Sequence, residues 1–199
     1  MEKRFVAQEL INRLNEKIRG QLKLQETLIL GVVLKGLPVA YSLAKMNEVI
    51  ENFVPLVAQR HILMQHHVES YFPSLEWKDY FNHKLSRCKN LLIVDDVVNT
   101  GFTKEKVESI VCSLNQNKEV TLPQMFAALV LNRENLGNPH FVNSNDFFAV
   151  EVNATNVECD WGIMTVPLWD LPVETALQRC EEYHQKFWQN EQRWITITY

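Results

Sequence analysis

Residues 91–104 read Leu91-Leu92-Ile93-Val94-Asp95-Asp96-Val97-Val98-Asn99-Thr100-Gly101-Phe102-Thr103-Lys104. The apolar run from Leu91 to Val94 is too short for a helix core and predicts a buried parallel strand. Asp95 and Asp96 follow where that strand meets the carboxyl edge of its sheet. Asn99, Thr100, Gly101 and Thr103 then precede a helical pattern. Open α/β sheets place ligands at the carboxyl ends of their strands, and a helix N-terminus opened by Gly and Thr attracts anions. Acidic groups beside such a cradle point to a phosphorylated, hydroxyl-rich ligand carried with a divalent cation. An Asx/Thr-rich turn that only caps a helix would have the same loop composition, but it has no use for paired acids.

Working outward, Leu28 to Leu34 is a second buried strand, broken by Lys35-Gly36-Leu37-Pro38. Pro38 suits the first turn of the following helix, Val39 to Lys45, so this is also a strand-turn-helix unit. After the central motif, Val107, Ile110, Val111 and Leu114 mark one face of a helix from Lys104 to Asn115. Strands are expected at Gln124–Leu131, Phe147–Val152, Ile62–Val68 and Ile163–Val166. Phe5, Leu10, Ile11, Leu14 and Ile18 predict an amphipathic helix over 2–19 ending at Gly20, and residues 173–190 are patterned as another helix. Residues 70–89, with Tyr71, Phe72, Trp77, Tyr80 and Phe81, read as a functional loop or a small packed hairpin. Ile195 to Tyr199 alternates like an edge strand or a docked tail.

The chain of 199 residues suits one α/β domain spanning 1–199, without linkers or repeats. A formal net charge of -4 argues against nucleic-acid binding through a broad basic surface. Cys88, Cys112, Cys159 and Cys180 are widely spaced, which fits reduced thiols and no disulfide or zinc framework. With no signal-like N-terminus and no membrane-length apolar run, a cytoplasmic protein without membrane contact is expected. His66 and His67 are adjacent, so from a regular strand they cannot both ligate one ion.

Together these motifs resemble the type I phosphoribosyltransferases. Val94 to Thr103 is similar to that family's signature for phosphoribosyl pyrophosphate: a hydrophobic strand, two acids and a T-G-x-T loop. Gly31-Val32-Val33-Leu34-Lys35-Gly36 resembles the pyrophosphate-contacting loop of hypoxanthine-guanine enzymes. Ser70-Tyr71 resembles the Ser-Tyr of a flexible loop that closes over the active site, and Lys89-Asn90 also fits. The resemblance implies a mostly parallel central sheet flanked by helices, a flexible active-site loop, and a small hood. That hood would be built from about 140–172 plus the N-terminal segment.

The implied reaction transfers a phosphoribosyl group from phosphoribosyl pyrophosphate to a nucleobase, most naturally a purine, releasing pyrophosphate. Because the sugar becomes cationic, catalysis is positioning and charge stabilisation. Asp95, Asp96 and Asn99 are the implied catalytic residues. Asp95 and Asp96 would meet the ribose hydroxyls and hold Mg²⁺ directly or through them. Leu34, Lys35, Gly36, Ser70 and Tyr71 would contact pyrophosphate or close over it, and Val98, Thr100, Gly101, Phe102 and Thr103 would bind the 5′-phosphate. Asn132, Val157 and Trp161 would approach the base. A homodimer is the implied assembly.

The chain departs from the purine pattern in three places. Asn99 stands where 6-oxopurine enzymes commonly have an Asp, and an amide is no general base at neutral pH. Asn132 stands at the position of a Lys, with Arg133 expected to point away by strand alternation. Asn156 replaces the hood aromatic, while Val157 and Glu158 are retained and Trp161 could either stack on a base or join the core. An intact phosphate loop with altered base contacts also fits a regulatory protein that binds phosphoribosyl pyrophosphate or nucleotides without turnover.

Overall fold

The computed structural model describes residues 1–33, 35–60, 68–116, 121–138, 140, 142–161, 171–189 and 192–199. Leu34, the His66-His67 pair and the expected strand at 163–166 therefore lie outside the described residues. Strands β2 (Thr27–Val33), β3 (Phe53–Arg60), β5 (Asn90–Val98), β6 (Gln124–Asn132) and β7 (Phe147–Val152) run parallel in the order β3-β2-β5-β6-β7. β4 (Val68–Tyr71) adds an antiparallel strand beside β3. All of β2 is buried, as are residues 125–132 of β6. This is why both read as unbroken apolar runs: a parallel strand covered on both faces has no side for polar residues.

The helices follow from amphipathic spacing. α1 (Ala7–Arg19) buries Leu10, Ile11, Leu14 and Ile18 and packs over β6 and β7. α2 (Gly36–Met46) is buried over nearly its whole length and lies on β2 and β5. α3 (Leu75–Leu85) starts at Ser74, whose hydroxyl accepts from the Trp77 amide at 3.3 Å, the usual capping arrangement. α4 (Phe102–Gln116) follows the central motif, and α5 (Val173–Gln189) rests on α2 and α3. No helix among the described residues is long and apolar enough to cross a membrane.

A second, three-stranded sheet has the order β1-β9-β8, from β1 (Glu2–Val6), β9 (Trp194–Thr198) and β8 (Asn156–Cys159). It corrects two expectations. Residues 2–6 are a strand and not helix, because Phe5 pairs with Ile195 at the opposite end of the chain. β9 is the middle strand of its sheet, with its neighbours supplied by long-range pairing. Residues 75–85 form neither a loop nor a hairpin: the aromatics Trp77 and Phe81 are the buried face of α3. Ser70 and Tyr71 sit in β4, their backbones paired with Ala58 and Val57, while 61–67 fall outside the described residues.

Candidate active site

After β2 the chain crosses to β3 on one side; after β5 it crosses to β6 on the other. The neighbouring carboxyl ends of β2 and β5 are thus the topological switch point, where an open α/β sheet leaves a crevice for a ligand. Both sequence motifs end there. The β2 end carries Lys35 and Gly36; the β5 end carries Asp95, Asp96 and the Asn99–Thr103 loop.

The two ends touch through a glycine. A Cβ on Gly36 would lie 2.6 Å from the Asp95 Cα and 2.9 Å from Asp95 Oδ1. Only a hydrogen fits, so the Lys35 turn rests directly on the backbone of the acidic strand. Asp95 and Asp96 are each 8% exposed. As strand neighbours they face opposite sides, Asp95 towards Gly36 and Asp96 towards Cys159, whose thiol donates to it. Burial, followed by that carboxylate, pushes the Cys159 thiol well above its ordinary value, so it stays protonated.

The loop after β5 turns at Gly101, whose φ of 80° is left-handed and suits glycine. This turn aims the N-terminus of α4 back at the strand ends, and the Glu105 amide bonds the Gly101 carbonyl at 2.9 Å. Asp95, Val97, Val98, Asn99, Thr100, Gly101, Thr103 and Lys104 line a small pocket of about 50 Å³ here. Whole-ligand pockets run to roughly 300–1,000 Å³, so this one admits only a small part of a ligand. Lys104 is committed elsewhere: 1% exposed, it pairs with Glu108 at 2.7 Å and Asp146 at 3.1 Å. It pins the first turn of α4 to the segment before β7.

The base-side positions form an amide network. Asn132 is fully buried, and its Nδ2 donates to the Ala154 carbonyl and to Asn99 Oδ1, both at 2.8 Å. Its Oδ1 accepts from the amides of Ala154 at 3.0 Å and Glu134 at 3.3 Å. Both protons and both lone pairs are used, leaving nothing for a ligand. Expected beside the base, Asn132 instead holds Asn99. Asn135, which sequence reading missed, also donates to Asn99 Oδ1, at 3.1 Å. It sits in an irregular loop, where no periodicity marks it. Arg133 points outward to Glu151 at 2.7 Å, as strand alternation requires.

In the small sheet, Val157 is half-buried and pairs with Ile197, and Asn156 is exposed and bonded to Glu158. Trp161 is 3% exposed, packs edge-on against Phe187, and donates from Nε1 to the Lys35 carbonyl at 3.3 Å. Its indole is thus part of the core and braces the Lys35 turn; it is not an open stacking platform. Thr100 is exposed at the loop tip, with Phe102 and Thr103 half-buried beside it.

A search of curated protein sequences found no match. Among solved structures, the chain is similar to a Helicobacter pylori xanthine-guanine-hypoxanthine phosphoribosyltransferase at 14% identity and a TM-score of 0.53, covering 75% of this chain and 83% of that one. A Bacillus anthracis hypoxanthine-guanine phosphoribosyltransferase gives 12% identity, a TM-score of 0.52, and coverage of 78% and 86%. A Neisseria gonorrhoeae hypothetical protein with bound ppGpp gives 19% identity, a TM-score of 0.51, and coverage of 89% and 92%. At such identities the likeness is one of fold. The phosphoribosyl transferase domain model matches residues 6–114, which include both motifs of the crevice. That match takes in more than half of the sequence, and the chain belongs to the phosphoribosyl transferase domain family.

Proposed function

We propose that the chain is a Mg²⁺-dependent transferase that moves the phosphoribosyl group of phosphoribosyl pyrophosphate to a nucleobase of purine type. The observation that carries this reading is the meeting of two motifs at one switch point. The acidic strand end and the glycine-turned phosphate loop of β5 lie against the Lys35-Gly36 turn of β2. In this reading the head of α4, with Val98, Thr100, Gly101, Phe102 and Thr103, holds the 5′-phosphate through backbone N–H groups and hydroxyls. Asp95 and Asp96 accept hydrogen bonds from the ribose hydroxyls and favour positive charge on the ring as the leaving group departs. Lys35 and Gly36 receive the pyrophosphate. Val157 borders the base from β8, and Ser70 and Tyr71 belong to the segment that closes over it.

The described residues contain no group of three or more His, Cys, Asp or Glu able to hold a metal alone. That fits Mg²⁺, which uses one or two carboxylates and completes its shell with phosphate oxygens and water. Asp95 or Asp96 would supply the carboxylate, directly or through ribose hydroxyls, and the ion would neutralise pyrophosphate charge. The protein works as a homodimer in the cytoplasm in this reading. Incubation with phosphoribosyl pyrophosphate, Mg²⁺ and a panel of purines and pyrimidines is the test. Pyrophosphate release with a purine is expected, and no release with any acceptor rejects the reading.

A second reading is a regulatory protein that binds nucleotides without turnover. The amide at Asn99, which cannot accept a proton, favours it. So does the similar Neisseria fold with ppGpp bound. Tight nucleotide binding in a calorimeter without pyrophosphate release would select this reading over the first.

A further inference from the structure

From the amide network we infer that Asn99 is a hydrogen-bond donor to the bound ligand, selecting a base that offers an unprotonated acceptor. The inference rests on the sugar-phosphate reading above and adds the polarity of the group that Asn99 meets. It follows from a chain of hydrogen bonds whose direction is set by backbone.

Ala154 is buried, and its N–H and C=O both face the Asn132 side chain, at 3.0 and 2.8 Å. A backbone N–H can only donate and a carbonyl can only accept, so the Asn132 amide has one possible orientation. The Glu134 amide agrees, donating to the same Oδ1. The second proton of Asn132 Nδ2 therefore points at Asn99, and the atom it meets there must be oxygen. Asn135 Nδ2, itself anchored on the Thr155 carbonyl at 3.3 Å, donates to that oxygen as well.

Both lone pairs of the Asn99 carbonyl are thus occupied. Its Nδ2 has no partner among the described residues, and Asn99 lines the crevice pocket. What this side chain has left for a ligand is a pair of N–H donors. An aspartate there would keep both amide bonds through one oxygen and present its other oxygen as an acceptor. The exchange of one NH₂ for one oxygen reverses which ligand protonation state is welcome. An acceptor lone pair is satisfied, and an N–H is left facing another N–H, which costs the desolvation of both. The ligand class is a nucleotide, or a base already carrying a lone pair at that position, in preference to a free base that presents N–H.

A purine nucleotide presents two unprotonated ring nitrogens near its glycosidic nitrogen, so inosine 5′-monophosphate and its 3-deaza and 7-deaza analogues are suitable probes. Calorimetric titrations would use these three and ribose 5-phosphate, with wild type, Asn99→Asp and Asn99→Ala. Wild type should bind inosine 5′-monophosphate about tenfold more tightly than one of the deaza analogues, the effect of one well-made hydrogen bond. Asn99→Asp should lower the ratio of nucleotide affinity to ribose 5-phosphate affinity by about tenfold or more. Asn99→Ala, which adds no charge, should abolish the discrimination between analogues. Equal wild-type binding of all three nucleotides overturns the inference, and that comparison needs no variant. Unchanged ratios in both variants overturn it also. If ribose 5-phosphate itself does not bind wild type, the sugar-phosphate reading fails first and takes this inference with it.

Discussion

Gly36 and Asp95 lie so close that a methyl group on Gly36 would stand 2.6 Å from the Asp95 Cα, well inside van der Waals contact. The obstacle is backbone, in the middle of a sheet, and cannot swing aside. The glycine of the β2 turn is therefore required by packing, independently of any ligand.

Substituting Gly36→Ala should push the Lys35 turn off the acidic strand end. Overpacking of this kind costs about 1–3 kcal/mol. The expected outcome is a lower denaturation midpoint together with weaker binding of pyrophosphate-bearing ligands. A variant as stable as wild type, with unchanged binding, would show that the turn relaxes freely.

Asp96→Asn keeps the shape of the side chain but removes its charge. If the acids stabilise a cationic sugar, turnover should fall by about 10²–10³-fold, the size of a lost electrostatic contact in a preorganised site. Steady-state pyrophosphate release checks this. A small change in kcat would move the charge stabilisation elsewhere.

Stability should fall as pH falls because of a part-buried network between α2 and α5. Trp188 Nε1 donates to Ser42 Oγ at 3.1 Å, and Ser42 Oγ shares a hydrogen bond with His184 Nε2, 2.9 Å away. Burial, followed by the nearby Lys45 ammonium, lowers the His184 pKa to about 4, so the ring is neutral near pH 7. The unfolded chain takes up that proton near pH 6.5 and the folded chain does not. Stability is thus insensitive to His184 above pH 6.5 and is lost from there down to about pH 4, by at most ~1.4 kcal/mol per pH unit. Glu181, held at about 2 by its bond to Lys45, adds a separate loss as pH falls from 4.5 towards 2. Denaturation curves between pH 7 and 4 should show wild type losing stability relative to His184→Gln, which lacks the titrating group.

Lys104→Met should be among the most destabilising single changes. It leaves the carboxylates of Glu108 and Asp146, 18% and 1% exposed, facing one another without their cation. Removing one partner from a buried charge cluster costs about 3–5 kcal/mol. Glu108 shows the strain already, since burial raises its pKa despite the lysine. Adding Glu108→Gln to Lys104→Met should restore part of the loss, and an additive double mutant would argue against the coupling.

The parallel sheet and the placing of the acidic motif at its carboxyl edge were legible in the sequence because both are local. An unbroken apolar run means a strand covered on both faces, and β2, β5 and β6 carry such runs. The acids and the loop follow β5 directly, so chain connectivity alone puts them at its carboxyl end. The left-handed turn at Gly101 is local as well, since it depends on that residue's own backbone. The aromatics of 75–85 misled because they look alike in a lid and in a helix packed under other elements; burial distinguishes the two, and burial is not local.

What only the tertiary structure decided is wherever a residue's role depends on a partner far along the chain. Residues 2–6 became a strand because β9 was there to pair with them. Trp161 joined the core because it met Phe187 and the Lys35 carbonyl. Asn132 and Asn99 look alike as letters, two amides where a base should bind. The backbone of Ala154 fixes the orientation of the Asn132 amide and so the direction of its hydrogen bond to Asn99, spending one amide on structure and leaving the other a donor. Hydrogen bonds have a direction that composition does not carry, and only the folded chain assigned it.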